Sequence, residues 1–162
     1  MLPKAPCLTI VSGGQTGVDR AALDVALELG LNCGGWCPRG RRAEDGPIPN
    51  RYPLHETPSP YYPVRTRCNV RDSDATLVLT RGRPDRGTKL TCVVAERLKK
   101  PLLVLDLNKP VRCNHVHKWM TDHRVCALNV AGPRESSQPG IQAQAADILR
   151  KLLQPFLASR RA

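Results

Sequence analysis

Ser12-Gly13-Gly14-Gln15-Thr16-Gly17 gathers three glycines, two hydroxyls and a carboxamide into six residues, a composition that suits holding an anion and is poor in groups that make or break bonds. Glycine lets the backbone approach a ligand closely, and a helix starting just after the loop adds free N–H groups and the positive end of its dipole. Val18, Asp19 and Arg20 open such a helix, and Arg20 adds a guanidinium beside the turn. The spacing differs from the dinucleotide fingerprint and no Gly-Lys-Ser/Thr follows, so neither common nucleotide loop is present. Taken alone, the loop is equally well a tight strand-to-helix turn.

Two further segments share its character. Thr80-Arg81-Gly82-Arg83-Pro84-Asp85-Arg86-Gly87-Thr88 and Ala131-Gly132-Pro133-Arg134-Glu135-Ser136 each combine glycine, a helix start and arginine, a side chain that forks onto oxyanions. Between them in chemistry lies Cys37-Pro38-Arg39-Gly40-Arg41-Arg42-Ala43-Glu44-Asp45-Gly46, where guanidinium groups stand beside carboxylates able to orient them or to accept from a ligand. A surface salt-bridge cluster of little energetic worth is the plainer reading of that stretch. The candidate binding residues are therefore Ser12, Gly13, Gly14, Gln15, Thr16, Gly17, Arg20, Arg39, Gly40, Arg42, Glu44, Asp45, Thr80, Arg81, Gly82, Gly87, Thr88, Gly132, Pro133 and Arg134. No catalytic set stands out: Asp72 and Asp74 read as loop carboxylates, and no Ser/His/Asp or Cys/His spacing is seen. Cys33 and Cys37 with His115 and His117 match no standard zinc pattern.

These loops need elements to hold them. The apolar run 7–11 predicts a buried strand, and 18–29 predicts a helix with Ala22, Val25, Ala26 and Leu29 on one face. A second strand is expected over 31–37. Residues 38–63, rich in Pro, Gly and Arg, form a long irregular segment whose Tyr52, Tyr61 and Tyr62 give it material to pack, so it is expected to fold over a site. Helices follow at 64–71, 88–99, 115–122 and 141–157, and strands at 75–80, 102–107 and 125–130. Such alternation predicts one α/β domain over 1–162 with a mainly parallel sheet, and a ligand outside the carboxyl ends of its strands.

Over 162 residues, 25 Lys and Arg against 14 Asp and Glu leave a formal net charge of +11. That length suits a single domain burying roughly two-thirds of the surface its unfolded chain exposes. The charge points to an anionic small-molecule ligand, while the scarcity of aromatics and the lack of a recognition-module signature argue against nucleic acid. Seven cysteines, odd in number and scattered, fit a reducing, cytoplasmic setting. No stretch reaches membrane-spanning length and no leader is expected.

Gly13-Gly14-Gln15-Thr16-Gly17-Val18-Asp19-Arg20-Ala21-Ala22-Leu23-Asp24, Trp36-Cys37-Pro38-Arg39-Gly40-Arg41, Ala43-Glu44-Asp45-Gly46, Arg51-Tyr52-Pro53-Leu54, Asn69-Val70-Arg71-Asp72-Ser73-Asp74 and Leu128-Asn129-Val130-Ala131-Gly132-Pro133-Arg134-Glu135-Ser136 together resemble the molybdenum cofactor carrier proteins. That family is a circularly permuted branch of the SLOG, or lysine-decarboxylase-like, superfamily, and the likeness runs in order over about 10–157. It implies a Rossmann-like three-layer sandwich, a mainly parallel central sheet flanked by helices, and a homo-oligomer, dimer or tetramer. It also implies binding of molybdenum cofactor (molybdopterin), a phosphorylated pterin, or of molybdate, as cargo protected and passed to molybdoenzymes without turnover. On that reading the Ser12 to Gly17 turn and Gly87-Thr88 cradle phosphate or molybdate oxygens, with Arg39, Arg42, Arg81 or Arg134 as cationic partners. Related phosphoribohydrolases carry Pro-Gly-Gly-x-Gly-Thr-x-x-Glu, whereas Gly87-Thr88-Lys89-Leu90 leads here to Thr91. A nucleoside-monophosphate hydrolase therefore stays the alternative, with Glu96 or Glu44 in place of the missing acid.

Overall fold

The computed structural model describes residues 8–158. Cys7, expected to open the first strand, and the tail arginines Arg160 and Arg161 lie outside them. In chain order the elements are β1 (Thr9–Val11), α1 (Val18–Glu28), β2 (Asn32–Gly34), β3 (Trp36–Cys37), β4 (Arg42–Ala43), β5 (Gly46–Pro47), β6 (His55–Glu56), α2 (Tyr62–Arg71), β7 (Ala75–Thr80), α3 (Arg86–Arg97), β8 (Leu102–Asp106), α4 (Cys113–Asp122), β9 (Ala127–Ala131), α5 (Ile141–Leu153) and α6 (Pro155–Ala158).

Five strands form one parallel sheet in the order β2-β1-β9-β7-β8. β7 is buried at every residue, as a parallel strand covered on both faces must be. Ala22, Val25 and Ala26 of α1 join Leu149 and Leu152 of α5, Val116 and Met120 of α4, and Ile10, Leu77 and Leu128 of the sheet in the main core. Val70 of α2 and Val94 and Ala95 of α3 form a separate cluster with Leu90 and Leu102. The result is the expected α/β three-layer, Rossmann-like architecture. From β1 the chain moves to one edge and from β7 to the other, with β9 returning between them. That reversal leaves a crevice above the carboxyl ends of the three central strands.

Boundaries shift where local chemistry overrides periodicity. The strand expected over 31–37 breaks at Gly35, whose φ of 136° and close approach to the Ser12 carbonyl suit glycine alone. Beyond it, β3 leaves the main sheet to pair with β6. α3 starts at Arg86, two residues before the sequence pattern, because the Asp85 carboxylate accepts from the Thr88 amide at 2.8 Å. The last helix divides before Pro155, which lacks the N–H that would continue it.

The long segment carries the antiparallel β4–β5 pair, and it buries Ala43, Ile48, Tyr52 and Leu54 against Leu23 of α1. Its turn is knotted by Arg41, in the left-handed region at φ 52°. The Arg41 guanidinium donates to the carbonyls of Ile48 (2.9 Å), Pro49 (2.9 Å), Tyr52 (2.9 Å) and Leu54 (3.2 Å). A cation that satisfies four carbonyls replaces the secondary structure this stretch lacks. The segment's middle packs beside α1, while Tyr62 and Pro63 at its end line the crevice and Arg42 reaches the Tyr62 ring.

Candidate functional site

A cleft of about 700 Å³ opens at the carboxyl ends of β1, β9 and β7, between α2 and α3. Gly13, Gln15 and Asp19 line it from the first loop and helix, Tyr62, Arg65, Thr66 and Asn69 from α2, and Thr88, Thr91, Val93 and Arg97 from α3. Asn129 to Gly132 and Arg134 close the side formed by β9. Positions 62, 65, 66 and 69 fall on one face of α2, and 86, 90, 93 and 97 on one face of α3, by the i, i+3/i+4, i+7 rule.

Three buried polar atoms belonging to lining residues find no protein partner: Gln15 Nε2, Arg65 Nε and Thr88 Oγ1. Gln15 and Thr88 are only 6% and 3% exposed. Oε1 of Gln15 accepts from the amides of Thr16 (3.1 Å) and Glu44 (2.9 Å), which leaves Nε2 as the free end. A buried polar atom without a partner costs about 1–3 kcal/mol, and of the four such side-chain atoms among the described residues three belong to residues that line the cleft, the fourth being Arg20 Nε.

The first loop turns out to serve itself. The Asp19 carboxylate accepts from the backbone of Gln15 and Gly13, and its side chain pairs with Arg65 at 3.3 Å, both nearly buried. Burial pushes the Asp19 carboxyl above its ordinary value, while Arg65 and the loop amides pull the other way. At the start of α1, the Gly17 amide donates to Gln142 Oε1 (3.0 Å) and the Val18 amide to the Pro133 carbonyl (3.2 Å). The helix end free to meet an anion is instead that of α3. There Asp85 takes the Thr88 amide, while those of Arg86 and Gly87 have no acceptor among the described residues. Arg86, Lys89 and Arg97, also on the lining, have no ion-pair partner among the described residues. The cleft is cationic overall.

Of the residues singled out from sequence, Gly13, Gln15, Gly87, Thr88, Gly132 and Arg134 meet at this cleft. Arg42 stands at its rim, with its guanidinium 5.5 Å from the Tyr62 ring centre, beside Arg65 at 5.5 Å and Arg134 at 5.8 Å. The others build the walls. Ser12 donates to the Asp19 carbonyl at 3.1 Å, and Gly14 packs under Ile48 and Leu54. Arg20 grips Asp45 through two bonds (2.6 and 3.1 Å) and the Gly14 carbonyl through a third. Glu44 accepts from Thr16 and Ser136 and lies 3.9 Å from Arg134, tying the first loop to the last. Arg81 spends its guanidinium on Gln144 (2.6 Å) and the Pro139 carbonyl (2.8 Å), and Thr80 is buried beneath Gln138. The Gly82 amide donates to Asp106, the Gly40 amide to Glu56, and Pro133 caps α1 through its carbonyl. Arg39 is exposed, its amide bonded to Ser59.

Residues 10–153 match the model of the circularly permutated YpsA SLOG family. The chain belongs to that family. Among solved structures, this cpYpsA chain is similar to a "Putative molybdenum carrier protein" from Syntrophus aciditrophicus SB, with 42% identity over 91% of this chain and 96% of that one and a TM-score of 0.88. No curated protein matches.

Asp19, Tyr62, Arg65, Asn69 and Asn129 were not singled out from sequence, though all line the cleft of this cpYpsA protein. The signal that would have found four of them was the polar face of α2 and an acid in the first turn of α1. Asn69 acts indirectly, clamping the Trp36 backbone by a donated (3.0 Å) and an accepted (2.7 Å) bond. Where the phosphoribohydrolases have an acid, Thr91 is buried against the cleft, and neither Glu96 nor Glu44 lines it. Among the described residues no three His, Cys, Asp or Glu side chains cluster to ligate a metal ion. Nor is any described helix long and apolar enough to cross a membrane.

Proposed function

We propose that the cleft binds a molybdenum-containing anion, molybdenum cofactor or a related molybdenum oxyanion, and that the protein carries it without turnover. The observation that carries this reading is the set of unpartnered buried donors, Gln15 Nε2, Arg65 Nε and Thr88 Oγ1, in a cationic cleft at the free start of α3. Such donors hold an anion by its outer oxygens; a bare metal cation would need a cluster of thiolate, imidazole or carboxylate ligands, and among the described residues no three such side chains come together. The name given to the 42% identical relative supports molybdenum as the element carried.

Hydrolysis of nucleoside monophosphates fits less well, since a threonine stands where that chemistry places its acid. Protein purified without oxygen is expected to contain molybdenum in near-stoichiometric amount, with or without a pterin, and to release no free base from nucleoside monophosphates. Metal-free protein that liberates base overturns the carrier reading. The proposal extends to a cytoplasmic homo-oligomer, dimer or tetramer, that hands its cargo to molybdoenzymes; sedimentation of the loaded protein tests the assembly.

A further inference from the structure

We infer that Gly13 and Asp19 are positioning residues that seat the Arg65 guanidinium in the cleft wall, and that Asp19 takes a proton from solvent when an anion docks on that guanidinium. This rests on the anion reading above and names the residues that set how much negative charge the site accepts. Gly13 supplies the first observation. Its φ lies outside the left-handed region, so no backbone strain demands glycine there. A Cβ at that position would instead run into Arg65, with Cζ at 2.8 Å and Cδ at 3.0 Å. The missing side chain makes room for the guanidinium.

Asp19 supplies the second. It meets Arg65 at 3.3 Å with side chains only 10% and 12% exposed, and its carboxylate also accepts from the backbone of Gln15 and Gly13. Both residues line the cleft, and Nε of Arg65 is buried there without a protein partner. With the carboxylate ionised the pair is neutral, so an anion on Arg65 meets a second negative charge directly behind it. Like charges this close favour a protonated carboxyl. Burial already pushes Asp19 that way, against Arg65, the loop amides and Arg20. Docking pushes it further, so affinity rises as pH falls through the loaded-state value and levels off below the free-state one. The other charged groups on the lining are Arg86, Lys89, Arg97, Arg134 and Asp85, whose carboxylate holds the Thr88 amide. No histidine lines the cleft among the described residues.

Calorimetric titration of the whole protein with sulfate and with molybdate, between about pH 6 and about pH 9 where neither anion changes its own charge, tests this. Repeating it in buffers of different ionisation enthalpy counts the protons taken up. The unsubstituted protein is expected to take up protons with the anion, its affinity rising by up to about tenfold per pH unit as pH falls. Asp19→Asn is expected to bind with no proton uptake and a flat pH profile. Gly13→Ala, which pushes the guanidinium off its seat, is expected to lose about tenfold in affinity and most of the uptake while its thermal midpoint stays near that of the unsubstituted protein. Should Asp19→Asn fail to fold, the loss of uptake in Gly13→Ala decides. Binding without proton uptake, uptake that persists in Asp19→Asn, or Gly13→Ala binding as tightly as the unsubstituted protein overturns the seat and leaves the anion reading standing. Binding of neither anion overturns that reading itself, and the seat with it.

Discussion

Thr88 and Gln15 carry polar atoms that the fold does not use, so their substitution separates binding from stability. Thr88→Val is expected to leave the thermal midpoint unchanged or slightly raised, because a buried hydroxyl without a partner costs about 1–3 kcal/mol and a methyl group costs nothing. Oxyanion affinity should fall by about 10- to 150-fold, the worth of a bond to a charged group of about 1.5–3 kcal/mol. Calorimetry of unfolding and of binding reads the two effects; parallel losses in both would mark Thr88 as a packing residue. Asp19 has the opposite character. Its carboxylate already fills the place of an anion at the start of α1, which is why the glycine-rich loop, so suggestive in sequence, has few donors left to give.

Among the elements, the segment from β4 to β6 owes its shape to ionic and hydrogen-bonded staples. Arg41→Ala leaves the carbonyls of Ile48, Pro49, Tyr52 and Leu54 without their shared donor. A loss of about 2 kcal/mol is expected, with faster amide exchange over 38–57 and none over β7. Acid should act on the same segment. The Arg20 hydrogen bond holds Asp45 below its ordinary 3.8; partial burial raises Glu44, but bonds from Ser136 and Thr16 outweigh it and leave it below 4.5. Both folded-state values are depressed, so their stabilisation is present above the unfolded values and lost as pH falls through the folded ones. Pepsin cleavage within 38–57 is therefore expected to rise below about pH 4, before β7 and β9 become accessible. Cleavage spread evenly over the chain would show that these carboxylates do not control the segment.

At the scale of the whole molecule, a net charge of +11 and a cleft lined by Arg65, Arg86, Lys89, Arg97 and Arg134 act together on an approaching anion. Affinity for molybdate or a phosphate monoester is expected to fall several-fold as salt rises from about 0.05 to about 0.5 M, since screening shortens the reach of charges outside the cleft. Titrations at several salt concentrations measure it, and a salt-independent affinity would confine recognition to the buried donors. The sheet supports this geometry by its strand order: with β9 between β1 and β7, their loops meet at one crevice.

The alternation of apolar runs with helical periodicity determined the sheet and its parallel sense, because each follows from spacing along a single element, and pointed to the strand end where the cleft opens. The order of Gly13-Gly14-Gln15-Thr16-Gly17, Asn69-Val70-Arg71-Asp72 and Ala131-Gly132-Pro133-Arg134 likewise carried the family. Only the tertiary structure decided which polar groups are spent on the fold and which remain. Glu44 and Arg81 are committed to Thr16 and Gln144, and Arg20 to Asp45 away from the cleft, whereas Gln15 and Thr88 line the cleft and each keep a buried polar atom without a partner. Spacing fixes the face a side chain takes on its own helix. Which acceptor reaches it first across 25 to 63 residues is set by packing, and no local pattern encodes that.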